Sequence, residues 1–328
     1  MDRALIVGSA GQDGRLLSQR LGREGCAVVG IERNRVTRTL GAGCTSDPRV
    51  DILDPQAIDD LVSSFRPDAI FYLAAYHHSA EDKFPPDDLE LYVRSHDVHV
   101  RGLIHVLEAV RKHSPESRLF YAASSHCFGE PPSDIQDENT PLRPRCVYGI
   151  TKTAGVGLCR MYRANHRVRA SAGFFYNHES AYRARKFLSA KIVHAAVQIS
   201  IGKRDKLVLG DLSARVDWGF APDYVDAMIR IVGLETAADF IIATGEAHSV
   251  EELVAIAFAH VGLDWRPYVE VEPSIIGKPR TVLVGDSTKL RTETGWSPSV
   301  SFRQMVELMV DAERERVVPS RSPQPQMI

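Results

Sequence analysis

The segment Gly8-Ser9-Ala10-Gly11-Gln12-Asp13-Gly14 spells G-x-x-G-x-x-G between a short apolar run at 4–7 and a helical pattern at 14–23. Glycines in a strand-to-helix turn let the backbone bend tightly and approach a diphosphate, which then rests on the positive end of the following helix. A glycine-rich turn without a ligand is the plainer reading. The position of this loop directly after a first strand favours the dinucleotide site. Gly8, Gly11, Gln12, Asp13 and Gly14 are therefore candidate cofactor-binding residues.

The rest of the first half alternates short β-branched apolar runs with longer helical patterns, the signal of a parallel sheet with crossover helices. Strands are predicted over 27–31, 69–74, 118–123 and 170–175, and helices over 55–65, 89–112 and 148–165. After residue 177 the rhythm changes to a helix over 186–201, a short strand over 206–209 and a loop over 210–219. Stretches 223–233 and 240–243 return to the sheet, and 250–261 with the remainder rejoins the second lobe. The expected fold is α/β: a Rossmann-type doubly wound parallel sheet with a smaller, interleaved C-terminal lobe. Residues 1–175 plus about 218–245 would form the dinucleotide-binding part, about 176–217 plus 246–316 the substrate-binding lobe, and 317–328 a disordered tail.

Composition bounds the function. A net charge of −2 argues against a nucleic-acid binder held by bulk electrostatics. No apolar run approaches the roughly 18–20 residues of a membrane span. The first strand begins too early to leave room for a signal peptide. Five cysteines, at 26, 44, 127, 146 and 159, show no C-x-x-C spacing and read as free thiols in a reducing cytoplasm.

The end of the second strand should select the cofactor. Glu32 stands where an acidic side chain would bond the adenosine ribose hydroxyls of NAD, while Arg33 and Arg35 could hold the 2′-phosphate of NADP. Both cofactors stay open, with a lean to NAD. Asp51 and Ile52 are candidate adenine contacts, and Ala74 a further cofactor contact at the end of its strand.

Tyr148-Gly-Ile-Thr-Lys152 is Y-x-x-x-K on a predicted helix, which places both side chains on one face. A tyrosine ordinarily ionises near pH 10, but an adjacent ammonium and a positive nicotinamide favour its phenolate. Tyr148 is thus a candidate general base for a sugar hydroxyl, with Lys152 also bonding the nicotinamide ribose, so both are candidate cofactor contacts as well. Ser124 ends the preceding strand at the carboxyl edge of the sheet, where α/β ligands bind, and can bond the same substrate oxygen.

With these motifs on the page, the chain resembles the extended short-chain dehydrogenase/reductases that remodel nucleotide sugars, most closely the GDP-mannose 4,6-dehydratase family. The similarity runs over about 4–313 and is densest at Gly8–Gly14, 144–152, Phe175-Tyr176-Asn177-His178-Glu179-Ser180, 209–224 with Asp217-Trp218-Gly219, and 241–250. The resemblance implies oxidation of sugar carbon 4 by the bound dinucleotide, removal of the carbon 5 proton, loss of water from carbon 6, and return of the hydride there. It places a glutamate as acid/base two residues after a threonine. Here Ser124 stands for the threonine and His126 for the glutamate. A histidine, with an ordinary pKa near 6.5, can do proton transfer at neutrality; equally, the change could mark a chain that reduces or epimerises without losing water.

The resemblance also implies substrate contacts from His78, Asn177, Arg183 and Lys191. The arginine it expects before Asp217-Trp218-Gly219 is Val216, with Arg215 where the family has lysine, and a later Arg-Pro-x-Glu-Val string is replaced around Lys278-Pro279-Arg280. Arg215, Lys278 and Arg280 are the cations that could still meet a diphosphate. A nucleotide-diphosphate sugar, GDP-linked by preference, is the expected substrate, and a homodimer or homotetramer the expected assembly. His77, His78, His96 and His99 invite a metal reading, but no carboxylate or cysteine completes a ligand set, so no metal is expected. Three functions stay open: a sugar-nucleotide 4,6-dehydratase with altered acid/base chemistry, a related 4-keto-sugar reductase or epimerase, and a dinucleotide sensor without turnover.

Overall fold

The computed structural model describes residues 1–33, 36–40, 43–47, 50–77, 87–272 and 282–317. Ala4 to Val7 are buried in β1 (Arg3–Val7), as expected of a strand covered on both faces. Around it lie β2 (Ala27–Ile31), β3 (Val36–Leu40), β4 (Gly43–Asp47), β5 (Ala69–Tyr72), β6 (Arg118–Ser124), β8 (Arg169–Phe175) and β12 (Asp239–Ile242). Their order is β12-β8-β6-β5-β1-β2-β3-β4, parallel from β12 to β2. The chain reverses direction of build-up between β1 and β5, which opens a crevice at their carboxyl ends.

Helices cover both faces. On one, α1 (Gln12–Arg23) and α7 (Ala221–Gly233) bury Leu17, Leu21, Val225 and Met228 against Ile6, Phe71 and Phe120. On the other, α2 (Pro55–Phe65), α4 (Gly102–His113) and α5 (Val147–His166) bury Ile58, Leu107 and Val156 against Leu5, Ile70 and Leu119. Asp54 starts α2 as its residues dictate, accepting bonds from the backbone N–H groups of Gln56 and Ala57 with Pro55 at the first turn.

Three features differ from expectation. The antiparallel hairpin β3–β4 extends the sheet edge where no strands are predicted. The predicted helix 89–112 is broken into α3 (Asp88–His96), a π-helical turn Asp97–Arg101, and α4. The wider turn turns carbonyls out of the helix ladder. Tyr72 Oη donates to the Val98 carbonyl at 2.5 Å, and Tyr121 Oη lies 3.5 Å from that of His99. Gly102 leaves the room: a Cβ there would meet Tyr72 Oη at 2.5 Å. Finally, the predicted loop 210–219 contains most of β11 (Arg215–Phe220), paired with β9 (Asn177–Glu179) and β13 (Ala247–Ser249).

A second core forms from α6 (Leu188–Ser200), α8 (Val250–His260), α10 (Phe302–Val317) and β10 (Leu207–Leu209), which pairs with β14 (Val269–Val271). Leu290 and Trp296 bury in the sheet-side core; α9 (Thr288–Thr294) lies there, and Trp296 Nε1 donates to the Asp223 carbonyl. β7 (Ile135–Gln136) and β15 (Val284–Gly285) form a small parallel pair. The Asp217 carboxylate knots the lobe base by accepting from Thr244 N, Thr244 Oγ1, Gly245 N and Gly285 N. Among the described residues no helix is long and apolar enough to cross a membrane. Residues 318–328 of the predicted tail lie outside the described residues.

Candidate active site

The carboxyl ends of β1, β2, β5, β6 and β8 open into a cavity of about 780 Å³. The glycine loop forms one wall, and its three glycines differ in what they allow. Gly8 has φ +96° and a Cβ there would sit 2.7 Å from Ala74 N; at Gly14 a Cβ would meet the Gly8 carbonyl at 2.4 Å. Both are required by the protein's own packing. Gly11 is not, since its Cβ would touch only the Gly8 carbonyl at 3.4 Å. Gly11 is the N-cap of α1 without a side-chain cap and lines the cavity, so bare backbone at a helix N-terminus faces the space a diphosphate needs.

Gln12 and Asp13 line the same wall, but their side chains reach across to the second lobe. Gln12 Nε2 donates to the His178 carbonyl, Ser180 Oγ donates to Gln12 Oε1, and Asp13 holds His178 Nε2 at 3.0 Å. Burial pushes the Asp13 carboxyl up, and the His178 charge with its hydrogen bond outweighs this and leaves it lowered. Burial likewise pushes His178 down, while Asp13 reverses the direction and leaves it raised. Glu32 and Arg33 line the cavity at the end of β2, and Asp51, Ile52 and Ala74 line it further along. Arg35 lies outside the described residues.

The opposite wall carries the proton-transfer candidates. Ser124 ends β6 and its Oγ accepts from His126 N at 3.2 Å, capping the single turn that presents His126. α5 carries Tyr148 and Lys152 to the same place. Lys152 is buried and its Nζ donates to the Ala122 carbonyl at 2.7 Å, 5.8 Å from the Tyr148 ring centre. Burial lowers the Lys152 ammonium to about 8. Burial raises the Tyr148 phenol above its ordinary value. Three imidazoles surround that tyrosine edge-on: His77 at 5.1 Å, His99 at 5.2 Å and His126 at 5.8 Å between ring centres. His126 Nδ1 also contacts Cys146 Sγ at 3.6 Å. Ser124, His126, Tyr148 and Lys152 thus converge on one wall of the cavity.

The expected substrate contacts divide. Asn177 and Arg183 line the cavity. Arg183 Nε stands 3.0 Å from Glu179 Oε2, and its guanidinium lies 3.8 Å over the Phe187 ring. Lys191, on the first turn of α6, and Arg215 are not part of the lining. Arg215 lies on β11 and its guanidinium donates to the Ala247 carbonyl, because the stretch read as a loop is a paired strand. His78, Lys278 and Arg280 lie outside the described residues. Lys186 and Phe187 line the cavity beside Arg183 and carry no motif that singles them out in the sequence. His96 and His99, one turn apart in an uninterrupted helix, separate: His96 stacks on Tyr92, whereas His99 is buried against Tyr148.

The sequence profile described as GDP-mannose 4,6 dehydratase matches residues 5–309. GDP-mannose 4,6 dehydratase 2 of Arabidopsis thaliana is 35% identical over 96% of this chain and 89% of its own length. The Homo sapiens GDP-mannose 4,6 dehydratase is 31% identical over 95% and 91%. In fold, the chain is similar to RMD from Pseudomonas aeruginosa complexed with NADPH, at TM-score 0.80 and 19% identity over 96% of this chain and 100% of that one. It is equally similar to MoeE5 in complex with UDP-glucose and NAD, at TM-score 0.80 and 21% identity over 97% and 100%.

Proposed function

We propose that this chain, which belongs to the GDP-mannose 4,6-dehydratase family, oxidises carbon 4 of a GDP-linked sugar and eliminates water across carbons 5 and 6, with His126 in the acid/base role. One observation carries the reading: the glycine loop, Ser124, His126, Tyr148 and Lys152 all face a single cavity. As a member of this family the chain is an enzyme of the nucleotide-sugar dehydratase/epimerase group.

The residues present fit a nicotinamide dinucleotide. Gly8 and Gly11 would cradle its diphosphate, with Gly14 outside the lining and packed behind them on Gly8; Glu32 or Arg33 would meet its adenosine ribose, and Asp51, Ile52 and Ala74 would flank it. Glu32 inclines the choice to NAD over NADP. When bound, the dinucleotide accepts and returns the hydride. Tyr148 takes the proton of the carbon 4 hydroxyl, and Ser124 bonds the same oxygen. Lys152, fixed by the Ala122 carbonyl, supplies the positive charge that favours the phenolate. The carbon 4 ketone then acidifies carbon 5. His126 removes that proton and delivers it to the carbon 6 hydroxyl, which leaves as water. Each positioned acid or base contributes typically about 10²–10⁴-fold. Arg183 and Lys186, both on the cavity wall, would meet the sugar-nucleotide diphosphate.

A second reading, a 4-keto-sugar reductase or epimerase, is favoured by the imidazole at the end of β6. The described carboxylates on the cavity wall, Asp13, Glu32 and Asp51, stand elsewhere. Incubation with NAD or NADP and GDP-mannose, alongside other nucleotide sugars, followed by mass spectrometry, separates the two. Loss of one water supports the dehydratase. Reduction of a supplied 4-keto sugar, or solvent deuterium exchange without water loss, sinks it in favour of the second reading.

A further inference from the structure

His99 lies between the loop after β5 and the catalytic helix, with 0% of its surface exposed. Its two ring nitrogens are committed in opposite senses. The Tyr76 backbone N–H donates to His99 Nε2 at 3.0 Å, so this nitrogen carries the lone pair. The proton is therefore on Nδ1, which donates to Thr151 Oγ1 at 2.8 Å. Thr151 in turn donates to the Val147 carbonyl at 3.0 Å, within the same helix that carries Tyr148. The imidazole plane stands at 88° to the Tyr148 ring.

We propose that His99 is the positioning residue for Tyr148: a neutral imidazole locked in one tautomer that ties the 74–77 loop to the catalytic helix and forms the inner wall against the tyrosine ring. The proposal rests on Tyr148 being the proton-transfer group. The tie has two sides. Through Tyr76 it fixes the loop bearing His77, whose ring packs on Tyr148 from another side. Through Thr151 it fixes the first turns of α5. The π-helical turn is what makes this possible, because it turns His99 inward where Tyr72 and Tyr121 meet the turn's released carbonyls at Val98 and His99.

The groups facing His99 are Tyr148 and Lys152 on α5, His77 on the loop and Tyr121 on β6. Burial first, then the charges of Lys152 and His77, holds its pKa at about 2. Remaining uncharged, it leaves Lys152 as the cation beside the tyrosine. No other side chain supplies both bonds: asparagine reaches the Nδ1 position and glutamine the Nε2 position.

Two measurements test this on the full chain. Nitrogen NMR of histidine-labelled protein should show His99 protonated at Nδ1, bare at Nε2, and unchanged from about pH 8 to about pH 5. A titration in that range, or a proton on Nε2, overturns the proposal, and this arm needs no turnover. In the second, His99→Asn and His99→Gln should each lower kcat about tenfold or more and shift its pH profile. NAD(P) dissociation constants should stay near those of the parent, and both variants should still unfold cooperatively above the assay temperature. If both variants keep kcat within about twofold, or lose it only in step with cofactor binding or folding, His99 is not a positioning residue. If the unsubstituted protein turns over no nucleotide sugar, the proposed function fails, and the NMR arm alone decides the state of His99.

Discussion

At the residue scale, Tyr148 and Lys152 carry the sharpest expectations. Tyr148→Phe keeps the ring among its three imidazoles and removes only the hydroxyl. Turnover should fall by about 10²-fold or more with NAD(P) affinity unchanged, as read by steady-state kinetics and titration calorimetry. Lys152 is a buried ammonium whose pKa is lowered by burial to about 8, from 10.5 in a free chain. Between these values the unfolded chain binds the proton that the folded protein has given up. Stability therefore rises with pH through that window, and the burial cost is fully present below it. Lys152→Met should melt no lower than the parent at neutral pH while losing about 10²-fold in kcat/KM. Tyr148, Lys152 and Ser124 were legible in the sequence because a helical spacing and a strand end suffice to bring them together. His99 was not, since its role depends on a backbone N–H at Tyr76 and on Thr151, neither of which has a sequence signature.

At the scale of single elements, the glycine loop separates packing from ligand binding. Gly11→Ala adds a methyl group with one contact at 3.4 Å, so thermal unfolding should barely change while NAD(P) affinity drops about tenfold or more. Gly14→Ala drives a methyl against the Gly8 carbonyl at 2.4 Å and should cost roughly 1–3 kcal/mol in denaturant unfolding. Equal losses of affinity and stability in both variants would contradict this division. The loop and most helices were legible because local residues dictate them: Asp54-Pro55 starts α2, and Ser249 with Glu252 closes a capping box on α8. The break in helix 89–112 was not, because the hydroxyls that take up its carbonyls come from β5 and β6. The strand at 215–220 was missed for a similar reason: β11 is held by partners at 177–179 and 247–249 that no local pattern announces.

At the scale of the whole molecule, Gln12-Asp13 on the glycine-loop wall and His178-Ser180 on the lobe form one latch. Asp13 is lowered, so its contribution is present above the ordinary carboxylate pKa of 3.8 and lost as pH falls through the depressed value. His178 is raised, so its contribution is complete below 6.5 and lost as pH rises through the raised value. A double-mutant cycle with Asp13→Asn and His178→Gln should give a coupling of roughly 0.5–3 kcal/mol in mildly acid solution that fades toward alkaline pH. A coupling independent of pH would show that the pair is not charged. A second expectation concerns assembly. Leu89, Tyr92 and Val93 on α3 and Ile150 and Met161 on α5 expose large apolar side chains on helices that pack side by side. Light scattering should find a dimer, and Val93→Asp should shift it to monomer; a monomeric parent protein would remove this face from consideration.

The central claim, that His126 moves the carbon 5 proton while Tyr148 serves carbon 4, is tested most directly in heavy water. The parent protein, given NAD(P) and its GDP-sugar, should release water and place solvent deuterium at carbon 5. His126→Ala should still exchange hydride with carbon 4 but neither lose water nor take up deuterium. Water loss at the parent rate in that variant would contradict the account and send the search for the base elsewhere in the cavity.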